Sequence, residues 1–582
     1  MNLLRVLVVL PLASLCHALS SDGPILDNLK GSEVKYARLF WDYNVTEGLI
    51  PGHQDSDSGE GGAAGTGYKF MIPLPERLAG LTYIGHAARL RLLLERARNG
   101  ERLRVGALGG SITAGHGVGG QDYSYARYFM DWLNLAFPPD KSTRPSIMND
   151  TSKHDFLNGA VPGTVSDYTS SCLFNHLIPE ADLVFVEFAI NDSPISTWTL
   201  DGAIARRPFE RLLRKLLRLP SKPAVVLVNM YAVAPASNTY HHTAERDFGE
   251  LAPYYSLPSV SLKAAVLPSG LVKGAEEVSP GAIFNGGAMH PGRGGHVVVT
   301  EMLITLFLEM LRRNSLIGTS PEELSISELK SVAARPLPPP VCEGNYESSI
   351  DTCYIEDQLQ RLVQQPVVGW NWTDEGRGKW GFVSLKKGDE LQLKINTRLE
   401  GKRSATDSSA LILLQVAYLK SYRGMGTAQV SCTSGCSCEP LIIDAFDRRP
   451  VSVTSMADIQ VSQSSKCILA ITSMGPSSAA AGKSSKTVTN GYKFKLMGVV
   501  VGEEPGATSG NFDHVRMVLI CHPGQRQLLA ASALRCAVRG AVLCCVCQWW
   551  LRRLPPSSML SICVEDLDNL GPLDPSREVH WF

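Results

Sequence analysis

The stretch Val105-Gly106-Ala107-Leu108-Gly109-Gly110-Ser111-Ile112-Thr113-Ala114-Gly115 constrains this chain more than any other. An apolar run leads into a glycine-rich turn, the turn carries a serine, and a helical pattern begins at Tyr125. Strand, tight turn and helix in that order lift a side chain to the carboxyl edge of a parallel sheet, where open α/β folds bind their ligands. Glycines permit the turn and a close approach of backbone. Such a turn is common in loops, so on its own it carries little weight.

Three more blocks lie downstream, in order. The first is Asn158-Gly159-Ala160-Val161-Pro162-Gly163-Thr164. The second is the apolar run Leu183-Val184-Phe185-Val186-Glu187-Phe188-Ala189-Ile190, ending in Asn191-Asp192. The third is His290-Pro291-Gly292-Arg293-Gly294-Gly295-His296, at the head of a long apolar helix. From about residue 100 to 315 the four blocks together resemble the SGNH, or GDSL-type, hydrolase family. Ser111 matches its nucleophile block, Gly163 the second block, Asn191 the third and His290 the fourth.

The resemblance implies a serine esterase. Serine needs an adjacent base to become a good nucleophile. His290 would take the Ser111 proton and later return it to the leaving alcohol. The negative oxygen of the tetrahedral intermediate needs donors already aimed at it. The resemblance assigns that oxyanion hole to the backbone N–H groups of Ser111 and Gly163 and the side-chain amide of Asn191. It implies no cofactor and no metal. Two positions depart from the family. Gly287 stands where an acid is usual, three residues before His290, so the orienting group is either a backbone carbonyl or another carboxylate. Ala189 stands where the third block usually has glycine, a small change.

Other residues read as structural. His296 reads as a helix-start or packing histidine. His241 and His242, in a polar loop after Ala224–Met230, read as a solvated pair. Strand patterns cover Leu103–Leu108, Leu183–Ile190 and Ala224–Met230. Helical patterns cover Tyr125–Phe137, Phe209–Leu217 and His296–Arg312. Strands alternating with helices predict an α/β fold, a three-layer doubly wound parallel sheet like that of the SGNH hydrolases.

Past Ala334-Arg335-Pro336-Leu337-Pro338-Pro339-Pro340 the pattern changes to short apolar runs separated by turns, which predicts an all-β sandwich-like domain. The expected layout is a signal peptide at 1–20, an N-terminal extension with a flexible insertion at 21–95, and the hydrolase-like domain at 96–333. A Pro-rich linker comes next at 334–341, then the sandwich at 342–510 and a tail of unassigned character at 511–582. Trp370, Trp372 and Trp380 read as sandwich core rather than as stacking faces for sugars. Cys432, Cys436 and Cys438 read as disulfide cysteines rather than a metal site, without a fixed pairing to Cys342, Cys353 or Cys467.

Met1 to Ser20 has one positive charge, a short apolar core and small residues at its end, which predicts a secretory signal. A signal anchor is the alternative, although the run is shorter than the ~20 residues of a spanning helix. Sequons at Asn44, Asn149 and Asn371 fit a secreted or lumenal glycoprotein. With 14 cysteines, one of them Cys16 in the signal, the mature chain keeps an odd number. Equal numbers of acidic and basic residues, 56 each, give no field to steer nucleic acid. The expected substrate is a small ester or an acylated carbohydrate, foremost an acetyl ester. The alternatives are an O-acyltransferase using the same Ser–His pair and a catalytically inert glycan-binding homologue.

Overall fold

The computed structural model describes residues 70–502, apart from 141, 149, 193–205, 233–242, 269–282, 285–289, 343–344, 346–351, 377, 399–410, 448–451 and 478–488. The expected signal, the sequons at Asn44 and Asn149, the insertion at Asp55–Gly67, His241, His242, Gly287 and the tail from Asn511 lie outside the described residues.

Five strands form one parallel sheet: β1 (Arg104–Gly109), β2 (Asp155–Asn158), β3 (Leu183–Glu187), β4 (Ala224–Asn229) and β5 (Ser259–Ser261). Their order is β2-β1-β3-β4-β5, and every pairing is parallel. Strands β1, β3 and β4 are buried along their whole length. Helices cover both faces, so both faces of each strand must be apolar. Val105, Ala107, Leu183 and Phe185 face one layer, made by α1 (Leu74–Ala79), α2 (Ala88–Arg98), α3 (Tyr125–Ala136) and α6 (Arg293–Ser315). Leu108, Val184, Val186 and Val225 face the other, with α4 (Ser166–Ser171) and α5 (Arg206–Arg218) on that side. The result is the expected three-layer doubly wound fold.

Two expectations need correction. The strand predicted over Leu183–Ile190 ends at Glu187. The chain then turns, with the N–H groups of Asn191 and Asp192 both donating to the Phe188 carbonyl. The predicted extension at 21–95 also ends too late. Ile72, Leu90, Leu93 and Leu94 belong to the α/β core, and the Met71 N–H donates to Glu301 of α6 at 2.7 Å. Helix α6 is long and apolar enough to cross a bilayer, but it is buried in this core.

The second region is a pair of antiparallel sheets. One runs β13 (Ser452–Val461), β10 (Ile412–Ser421), β16 (Phe494–Gly502), β8 (Gly381–Ser384), β7 (Trp370–Thr373), with β6 (Thr352–Ile355) also on β16. The other runs β12 (Leu441–Asp444), β11 (Arg423–Ser434), β14 (Cys467–Pro476), β9 (Glu390–Ile395), with the short β15 (Thr489–Asn490) beside β11. Along β9 exposed and buried residues alternate, which turns Leu391, Leu393 and Ile395 into the core between the sheets. Disulfides Cys432–Cys438 and Cys436–Cys467 staple one end of this core. Trp370 packs against Phe494 in the core, as expected, and Trp372 contacts both Trp380 and Phe382; Trp380, read from the sequence as core, is instead 42% exposed at the surface.

The two regions share a seam. Tyr168 and Cys172 from the α/β side pack with Cys353, Ala417, Met456 and Val500, and a third disulfide joins Cys172 to Cys353. Ser171 Oγ donates to Gln415 Oε1 at 2.6 Å. The Pro-rich segment is laid down on the α/β domain: Arg214 donates to the Pro338 carbonyl and Tyr254 to that of Pro339, both at 2.7 Å. The Glu210 carboxylate then takes the N–H groups of Val341 and Cys342 and the amide of Asn345.

Candidate active site

Ser111 sits in the turn that leaves β1, at the carboxyl edge of the sheet. The turn is tied by hydrogen bonds from the Ala114 N–H to the Gly110 carbonyl and from the His116 N–H to the Ser111 carbonyl. A side chain at Gly110 would press on Asn191, since a Cβ would lie 2.3 Å from its amide nitrogen. Below the turn lies a buried polar chain. Thr113 Oγ1 donates to Glu187 at 2.9 Å and stands 3.1 Å from the Tyr125 hydroxyl. Burial pushes the Glu187 carboxyl up to about 7, against the opposing pull of hydrogen bonds from Thr113 and Gly110.

His290 arrives from the loop before α6. Its Nε2 stands 2.8 Å from Ser111 Oγ, across 179 residues of sequence. Burial, and then the charge of His116, hold the His290 imidazole below its usual pKa, so the ring is biased toward the neutral form. Such a ring can accept a hydroxyl proton. Among the described residues no carboxylate contributes to this shift. His296 is buried one turn into α6, where its Nδ1 accepts the Tyr125 N–H at 3.0 Å and so ties α3 to α6. Its role in the fold is packing and orientation.

Gly163 lies in the turn after β2, held to β1 by the Val161 N–H donating to the Gly109 carbonyl. Its φ of +71° is left-handed, which glycine adopts without penalty. Asn191, from the turn after β3, donates its side-chain amide to the Thr164 carbonyl at 2.7 Å. Next to it the buried Asp192 accepts from the Ser166 N–H and hydroxyl. Burial pushes the Asp192 carboxyl up to about 7. Among the described residues, the N–H groups of Ser111 and Gly163 donate to no protein acceptor. Ser111, Gly163, Asn191 and His290 all line one cleft of about 1280 Å³.

The far wall of that cleft comes from the sandwich. Lys379, Glu375, Arg423, Ser452 and Lys493 line it there. Glu375 is paired with Lys493 and Lys495. Lys379 donates to the Pro162 carbonyl, and the Thr454 N–H donates to the Gly163 carbonyl at 2.7 Å. Sequence reasoning missed this wall, and it missed His116, whose ring centroid lies 6.0 Å from that of His290. Lys379 is adjacent to the aromatic run that begins at Trp380, and that adjacency is the only local signal it carries.

The fold and cleft define a doubly wound α/β domain with a serine–histidine pair at its sheet edge. Residues 107–298 match the GDSL-like Lipase/Acylhydrolase family, and the α/β domain of this chain belongs to that family of ester hydrolases. The chain is similar in fold to a two-domain esterase (CEX) active on acetylated mannans. The identity is 20%, over 74% of this chain and 99% of that one, with a TM-score of 0.50. The same esterase co-crystallised with mannopentaose gives 19% identity, 74% and 98% coverage and a TM-score of 0.47. A family 6 carbohydrate-binding module from Clostridium cellulolyticum in complex with xylose gives 9% identity over 26% of this chain and 97% of that one, with a TM-score of 0.18. No curated protein matches the sequence.

Proposed function

We propose that this protein is a secreted or lumenal serine esterase that removes acetyl groups from carbohydrate. Ser111 is the nucleophile and His290 its general base. The acyl group passes to Ser111 Oγ as the alcohol leaves with the proton His290 carried. Water, deprotonated by His290, then releases the acid. The Ser111 and Gly163 N–H groups and the Asn191 amide hold the oxyanion of both tetrahedral intermediates.

The observation that carries this reading is the 2.8 Å contact between Ser111 Oγ and His290 Nε2, beside cleft-lining Ser111 and Gly163 whose N–H groups, among the described residues, donate to no protein acceptor. The choice of a glycan ester rests on size and polarity. A cleft of about 1280 Å³ with a wall of charged side chains far exceeds what an acetyl group fills, and it suits a polar chain of sugar rings. The similar two-domain esterase acts on acetylated mannans, which supports the same substrate class here. The export signal read at the N-terminus agrees with three disulfides and with an exposed Asn371 in its sequon.

The test is labelling with a fluorophosphonate probe, paired with acetate release from acetylated oligosaccharides. Wild type labels at Ser111 and releases acetate, and Ser111→Ala does neither. A wild-type protein that neither labels nor releases acetate refutes the esterase reading. Acetyl transfer to an added saccharide in place of free acetate replaces it with the transferase reading.

A further inference from the structure

The peptide unit that carries the Gly163 N–H also carries the Pro162 carbonyl. This bond is trans, so the carbonyl and the N–H point in opposite directions from one rigid plane. Whatever holds the Pro162 oxygen therefore aims the Gly163 N–H. The group that holds it is the ammonium of Lys379, which comes from the other domain, 217 residues along the chain. The next carbonyl, that of Gly163 itself, is held by the Thr454 N–H of β13 at 2.7 Å.

A glycine at a φ of +71° has little of its own to resist rotation of the planes on either side. The α/β domain fixes the loop before Gly163 through Val161 and after it through Asn191 on Thr164. Thr164 closes the turn by donating its N–H and hydroxyl to the Val161 carbonyl, while the Pro162 and Gly163 carbonyls themselves accept, among the described residues, from the sandwich alone. The approach is close. A Cβ on Gly163 would lie 3.1 Å from Lys379 Nζ and 2.8 Å from the Ser452 carbonyl. A cation on a carbonyl oxygen also draws electron density from the amide, which strengthens its N–H as a donor. The charge reaches further into the cleft, where burial first and Lys379 second hold His116 below its usual pKa.

We infer that Lys379 is a positioning residue of the oxyanion hole: by bonding the Pro162 carbonyl it aims and polarises the Gly163 N–H. The inference rests on the assignment of Ser111 and Gly163 made above. It makes the second domain part of the apparatus for any ester, including one with no sugar to bind.

The experiment uses the full chain and p-nitrophenyl acetate, a substrate with no sugar. Loss of a whole oxyanion donor lowers kcat by about 10²–10³-fold, and a donor left in place but loosened costs less. Lys379→Met should lower kcat about tenfold with KM within about twofold. Lys379→Arg should recover most of it, and Lys379→Gln, a neutral donor, should fall between. Thermal melting of each variant checks the fold, and if Lys379→Met does not fold, the Gln and Arg pair decides on the same ordering. An undiminished kcat in folded Lys379→Met overturns the inference. So does a change confined to KM for acetylated oligosaccharides, which would make Lys379 a substrate contact. Fluorophosphonate labelling of the wild type separates the two levels. No labelling sinks the assignment of Ser111, whereas normal labelling with an undiminished Lys379→Met sinks only the role of the lysine.

Discussion

Replacing Cys172 and Cys353 together by alanine removes the covalent tie between α4 and β6. The two cysteines are 181 residues apart, so the bond closes a very long loop in the unfolded chain. Loop-closure entropy for that length corresponds to about 5 kcal/mol at 25 °C, the upper end of what a disulfide contributes. The native seam loses little else. Tyr168, Ala417, Met456 and Val500 remain packed, and Ser171 still reaches Gln415. The double variant should therefore keep its structure and its kcat on a small ester at 25 °C while unfolding far earlier. In urea the midpoint should fall by about 1.7–2.5 M, taking about 2–3 kcal/mol/M as the slope. Fluorescence and circular dichroism followed through one titration supply the assay. A midpoint within error of wild type would refute the reasoning, because it would mean the unfolded chain gains no freedom when the tie is cut.

Three further outcomes are expected. Asn191→Ala removes the proposed oxyanion donor and frees the Thr164 carbonyl it holds, so kcat should fall by about 10²–10³-fold in a variant that melts like wild type; near-normal turnover would refute the donor role. The acid limb of the kcat/KM profile should lie below pH 6.5, because His290 must be neutral to act and its pKa is lowered by burial and by His116; His116→Gln should move that limb to higher pH, and a limb that stays put would exclude the coupling. Asp167, at the seam, is held protonated above its ordinary range by burial and then by the charge of Asp458. Its folded pKa is therefore raised, so its contribution to stability is full below its ordinary 3.8 and is lost as pH rises toward neutrality; Asp167→Asn should flatten that part of the melting-temperature profile, and an unchanged slope would place the effect elsewhere.

The centre of the first domain is legible in the sequence because its physics is local. Strands buried on both faces must be largely apolar runs, and residues 183–186 and 224–228 are such runs, each followed by one polar residue at the strand's carboxyl end. The edge strands are not legible. Asp155–Asn158 has two apolar residues and Ser259-Val260-Ser261 has one, too few to show a period. The four blocks of the site are readable because each is a turn leaving a strand or entering a helix, where glycine and asparagine have conformational reasons to be. Contacts across the seam have no such signature. Nothing in the spacing links Cys172 to Cys353, Lys379 to Pro162 or Thr454 to Gly163, since each pair meets only after both domains exist. The alternation in Glu390–Ile395 announces a strand, but it does not say which neighbour that strand will face.

The strap of chain between the domains matters to anyone who would take the molecule apart. Burial pushes the Glu210 carboxyl up, yet hydrogen bonds from Tyr255, Asn345, Cys342 and Val341 together outweigh it and hold the group below the usual carboxylate range. A cut at Pro336 strands that carboxylate in a half-dry hollow with most of its donors gone, and it bares the greasy faces of Tyr168 and Met456 to water. Neither fragment would be a finished protein, and the boundary most inviting to a cloning scheme is the place where the two halves have surrendered their independence.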